Sequence, residues 1–167
     1  VNDNKSIFSD DITVGRNSVI NSADLNYTYR IIKPDSEVVL TGIIDEQRSL
    51  DLTFKLQDNT RIVDFDIKLN DSNRSNNNDN VELIWGRDSF RNSKSIDYEN
   101  RYTALAYGFE ENKDSYLSVG GSTNKNINNV NWISFREHFF SSILILKNQV
   151  NDVDISSEDL ASNETLD

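Results

Sequence analysis

The chain contains no cysteine, no methionine, one proline and one histidine. Without thiols there is no disulfide, no thiol nucleophile and no cysteine-type zinc site. A single imidazole, His138, has no partner in the sequence with which to run acid–base chemistry or hold a metal. No catalytic, cofactor-binding or metal-ligating residue is therefore assigned. No run of about 18 apolar residues is present, so no transmembrane helix is expected, and no basic-plus-apolar leader is seen. Basic residues are also scarce, with Lys+Arg 17 against Asp+Glu 28 and a net charge of −11. Such a surface repels phosphate backbones and anionic headgroups, which excludes nucleic acid as a partner. The chain begins at Val1 without a start methionine and reads as a piece of something longer.

What the sequence does contain is strand pattern. Its 167 residues are enough for one domain with a core, although hydrophobic residues make up only 36%. In "SLDLTFKL" (49–56), Leu50, Leu52, Phe54 and Leu56 share one face, with Asp51, Thr53 and Lys55 on the other. In "RIVDFDIKL" (61–69), Val63, Phe65, Ile67 and Leu69 alternate with Asp64, Asp66 and Lys68. Period two with one dry face and one wet face predicts an antiparallel meander. A one-residue slip would bury Asp64, Asp66 and Lys68 together, so the register should be tight. "EVVLTGII" (37–44), "LNYTYRII" (25–32) and a short piece at Ile12–Val14 read as strands before it. Pro34 sits in a turn, where a fixed φ and a missing N–H do no harm. "VELIWG" (81–86), "RYTALAYGF" (101–109) and "SSILILKN" (141–148) follow as strands, the last expected as a core strand, while "SYLSVGG" (115–121) reads as a strand end or a partly buried loop. The polar runs 70–80 and 149–167 are expected to be mobile and 122–129 solvated, leaving an ordered core of about 12–148. No internal repeat and no second domain boundary is visible, so 1–167 is taken as part of one β-sandwich domain.

"NWISFREHFF" (131–140) is the densest aromatic patch. At about 100° per residue, Trp132, Phe135, Phe139 and Ile143 cluster on one side of a helix, with Phe140 at the margin. Asn131 suits the N-cap, and Val130 and Phe135 have the spacing of a hydrophobic staple. The expectation is a short amphipathic helix whose structural anchors are Trp132, Phe135, Phe139, Phe140 and Ile143.

The ordered blocks "ELIWG" (82–86), "ENRYTALAY" (99–107), "DSYLS" (114–118) and "VNWISFREHFFSSILI" (130–145) resemble the periplasmic domain of YidC membrane protein insertases of the Bacteroidetes type. The resemblance is looser over 37–69. It implies an all-β, mainly antiparallel β-supersandwich similar to galactose mutarotases, with a short helix near the C-terminus. It further implies a periplasmic, non-catalytic module of an inner-membrane-anchored protein. Its implied partners are Sec translocon subunits of the SecD/SecF type and nascent membrane proteins, with the membrane reached only through segments absent from this chain. A carbohydrate-binding or mutarotase-like protein is the alternative, with Trp85, Tyr102 and Tyr107 as a ligand platform.

Plainer explanations stand beside these. Aromatics on strands are more often core than platform. The Asp/Asn run 70–80 lacks the glycine and terminal glutamate spacing of a calcium loop. Triplets such as Asn26-Tyr27-Thr28 are expected by chance in an Asn-rich chain.

Overall fold

The computed structural model describes residues 6–14, 18–72, 80–88, 95–118 and 123–158. Strands dominate, and the chain divides into two compact units between Gly86 and Arg87.

The first unit contains β1 (Ser6–Val14), β2 (Ser18–Asn21), β3 (Tyr27–Lys33), β4 (Glu37–Ile43), β5 (Arg48–Leu56), β6 (Val63–Asp71) and β7 (Asn80–Arg87), the last crossing the division. The expected meander is present as a four-stranded antiparallel sheet in the order β3-β4-β5-β6. Its register runs Leu50↔Leu69, Leu52↔Ile67 and Phe54↔Phe65, with Asp64, Asp66 and Lys68 all exposed. Turn chemistry fixes that register. Pro34 precedes Asp35, whose φ of 60° is left-handed, and the Ser36 N–H donates to Lys33 O at 3.2 Å. That combination has the form of a type II turn. At the next corner, Asp45 Oδ1 accepts from the backbone N–H groups of Gln47 and Arg48, both at 2.9 Å.

β1 belongs to a separate sheet, ordered β2-β1-β7, and covers one end of the meander's apolar face. Ile12 and Leu50 are completely buried, with Ile20, Leu25, Leu52, Ile67 and Leu69 around them. Phe8 meets Phe65 edge-on at 4.8 Å. Between them on β1, Asp10 is buried as well, and its Oδ1 has no hydrogen-bond partner. Burial, and then the Asp11 charge, push the Asp10 carboxyl above its ordinary value.

The second unit contains α1 (Ile96–Asn100), β8 (Ala104–Phe109), β9 (Lys113–Ser118), β10 (Thr123–Ile127), β11 (Val130–Arg136), β12 (Ser141–Val150) and β13 (Val153–Ser157). A four-stranded sheet, ordered β12-β11-β8-β9, turns Leu105, Tyr107, Ile133 and Phe135 inward. The β10–β13 pair lays Ile127, Val153 and Ile155 against them. Tyr107 is fully buried, and its hydroxyl accepts from Lys125 Nζ at 2.7 Å. Burial by itself would raise this phenol's pKa. The Lys125 ammonium and the Ser115 hydrogen bond outweigh it and hold the value below the ordinary range.

Several expectations fail here. Residues 130–136 form a strand, β11, and not a helix. A central strand packs on both faces, so Trp132 lies on one side and Ile133 and Phe135 on the other. That defeats simple alternation and imitates helical clustering. β12 is a strand, but among the described residues it lies at the sheet edge with Ile143 and Ile145 exposed. The stretch 123–127 is solvated as expected over Thr123–Asn126 but forms a paired strand, and β13 lies within the expected mobile tail. Residues 73–79 and 159–167, also expected to be mobile, lie outside the described residues.

Candidate functional site

Among the described residues two surface features stand out, and each lies within one unit. The first is the hairpin joining β11 to β12. Its turn spans 137–140 and is closed by the Glu137 N–H donating to Phe140 O at 2.8 Å. The turn projects Phe139 and Phe140 outward, 63% and 66% exposed. His138 folds back against α1 and the loop after it. Its ring stacks on Tyr102 at 4.7 Å and 18°, and meets Tyr98 edge-on at 5.1 Å. Ser95 caps α1 by accepting from the Tyr98 N–H at 3.3 Å, which holds Tyr98 in place. A hydrogen bond with Tyr102 keeps the Tyr98 phenol above its ordinary pKa.

Arg87 braces the hairpin from beneath. Its Nε lies 3.1 Å from Glu137 Oε1, and its Nη1 donates to Ser142 Oγ at 2.8 Å. One guanidinium therefore holds both sides of the turn. Glu137 is buried, so the arginine also compensates a carboxylate removed from water. Arg136 Nε donates to Tyr102 O at 3.2 Å and ties the strand end to the loop after α1. The histidine Nδ1 is buried without a partner. The imidazole's neighbours are rings, Tyr98, Tyr102 and Phe139, so the cluster is a packed aromatic surface.

The second feature is a groove of about 400 Å³ at the uncovered end of the meander's apolar face. Ile31, Val38, Phe54, Leu56 and Val63 form its floor and walls, and Lys33 and Glu37 stand at its rim. Ile31, Leu56 and Val63 are exposed there. The groove offers apolar contact and few polar directions, the chemistry of a site for aliphatic or aromatic side chains. Among the described residues no group of three or more His, Asp or Glu side chains is placed to hold a metal ion.

The residues expected to anchor a helix are dispersed by the strand geometry. Trp132 lies flat across Gly108, its partner on β8. Phe135 faces the core. Phe139 and Phe140 form the turn, and Ile143 points outward from β12. Of the three aromatics considered as a platform, Tyr107 is buried, Tyr102 stacks on His138, and Trp85 belongs to the other unit. They do not form a shared surface on the second unit. Sequence reasoning missed the Arg87 brace and the groove. The unbroken apolar face of β3 to β6 was the available signal for the groove, because a face with no opposing strands assigned to it must stay partly open.

The chain aligns with YidC of Parabacteroides distasonis at 26% identity over 97% of its length, covering 26% of that protein. The chain carries part of a YidC-like domain. YidC of Bacteroides fragilis is 24% identical over 79% of the chain, and YidC of Porphyromonas gingivalis 26% identical over 77%. Each of these proteins is named as a membrane protein insertase. The chain spans about a quarter of the length of the YidC relatives it matches. No family model matches it, and no solved structure does. The observed architecture, antiparallel sheets throughout, is the all-β class expected of the YidC resemblance and is compatible with a supersandwich. Among the described residues no helix is long and apolar enough to cross a membrane.

Proposed function

We propose that this chain is part of the periplasmic domain of a membrane protein insertase anchored in the inner membrane. In this reading it is a non-catalytic module that assists insertion and folding of inner-membrane proteins. It does so by contact with Sec translocon subunits of the SecD/SecF type and with nascent membrane proteins. The observation that carries the proposal is the alignment of 97% of the chain with one stretch of a YidC insertase.

The physical role is positional. Two sheet-based units hold surface features at fixed places, and neither feature groups side chains that would make or break a bond. The groove lined by Ile31, Val38, Phe54, Leu56 and Val63 suits an apolar stretch of a client that has left the translocon and is not yet in lipid. Photo-crosslinking in cells tests this. A photoreactive residue at Ile31 or Val63 of the full-length parent protein should form adducts with a nascent inner-membrane protein. One at an exposed position of the second unit should reach SecD or SecF. If a folded, active parent gives adducts with neither class from any of these positions, the proposal fails.

A further inference from the structure

We propose that the β11–β12 hairpin is an interfacial anchor that lays Phe139 and Phe140 into the headgroup–acyl boundary of a neutral phospholipid bilayer. The proposal rests on the geometry of the hairpin and is independent of the insertase reading. Two consecutive phenylalanines stand at the tip of a closed turn, 63% and 66% exposed, so two large apolar rings project side by side from one point. Behind the tip the outward residues of β12 are Ser141 and then Ile143, the latter 58% exposed, so apolar surface resumes one step back.

The groups behind the tip are those that favour the water side of such a boundary. Tyr98, Tyr102 and His138 form a ring cluster in which each side chain has an apolar body and a polar end. Arg136 stands at the strand end, where a long aliphatic stem lets a charge stay in water above an apolar contact. The acidic character of the chain is suspended here. Glu137 is buried against Arg87, and from His138 to Val150 there is no Asp or Glu, in a chain that carries 28 of them. Within 138–150 no carboxylate therefore opposes contact with lipid. The turn is also rigid before it binds, because Arg87 holds both Glu137 and Ser142. Little ordering remains to be done when it docks. The net charge of −11 directs the choice of surface to neutral headgroups over anionic ones.

The test is flotation of the 167-residue chain with phosphatidylcholine vesicles, together with amide NMR in vesicles carrying a nitroxide on the lipid. Half of the chain should float at lipid concentrations on the order of millimolar, as for other weak interfacial contacts. Added salt should not release it, because apolar burial is not screened. The nitroxide should broaden the amides of residues 138–141 selectively. The double variant Phe139→Ser/Phe140→Ser should bind about 100-fold more weakly, roughly tenfold per ring, at an unchanged melting midpoint. Three results would overturn the proposal: no flotation at tens of millimolar lipid, flotation that the double variant retains, or broadening centred elsewhere in the wild-type chain. Concentration-dependent dimerisation through residues 138–145 in the absence of vesicles would overturn it too, in favour of a second copy of the chain.

Discussion

Replacing Gly108 by alanine tests the strand assignment of the aromatic segment at its tightest point. Gly108 on β8 lies directly opposite Trp132 on β11, and the indole lies across the space a side chain would need. An added Cβ would sit 2.7 Å from Trp132 Cδ1 and 2.5 Å from Cε2. Carbon atoms prefer separations of about 3.5–4 Å. The obstacle is the body of a ring and not the end of a flexible chain, so the indole must rotate away or the strands must part. Overpacking of this kind costs about 1–3 kcal/mol. Restricting the unfolded chain by the same change returns about 0.4–1 kcal/mol, so the net loss is about 1–2 kcal/mol. In a unit of this size each kcal/mol corresponds to about 4–8 °C in Tm. Gly108→Ala should therefore lower the melting midpoint by about 5–15 °C, measured by calorimetry or circular dichroism. The same substitution in a Trp132→Ala background should be neutral or slightly stabilising, since the obstruction is gone. Equal effects in both backgrounds, or no loss in the wild type, would refute the pairing of Trp132 with Gly108 and the strand register with it.

Other substitutions probe the remaining contacts. Gly42→Ala should repeat the effect in the first unit, where a Cβ would meet Tyr27 Cε1 at 2.8 Å, and Tyr27→Ala should relieve it in a thermal double-mutant cycle. Arg87→Met should destabilise by about 2–4 kcal/mol in urea titrations, because it leaves the Glu137 carboxylate buried and uncompensated, and adding Glu137→Leu should recover most of that loss. Asp10→Asn should stabilise the chain at neutral pH by about 1–2 kcal/mol, since it removes a buried charge with an unpartnered oxygen. The sign with pH follows from the raised carboxyl: the fold favours the protonated form, so wild-type stability falls as pH rises from the ordinary value of 3.8 through the raised folded value. Melting curves across that range should show the fall in the wild type and its loss in Asp10→Asn.

How much of this was legible beforehand depends on the face each strand presents. β5 and β6 were readable because polar or charged residues occupy every second position of a sheet with one wet face. The turn at Pro34-Asp35 was readable because proline and a left-handed residue leave few alternatives. β11 was not, because Trp132 packs over Gly108 while Ile133 and Phe135 enter the core, and a strand covered on both sides loses its alternation. β10 was hidden because only Ile127 in "TNKNI" faces inward. β13 held a visible signal, Val153 and Ile155 alternating with Asp154 and Ser156, but its acidity made it look like tail.

By itself the sequence determined the all-β class, the meander and its register, the lack of thiol chemistry and the YidC likeness. These are properties of composition and of short-range periodicity, and every residue carries its share of them. Only the tertiary structure decided that Trp132 and Phe139 belong to a strand and a turn, that Arg87 braces Glu137, and that part of the meander's apolar face stays open. Those outcomes depend on which strand lies opposite which. That choice is made by the summed packing of residues far apart in the chain, and no local window contains it.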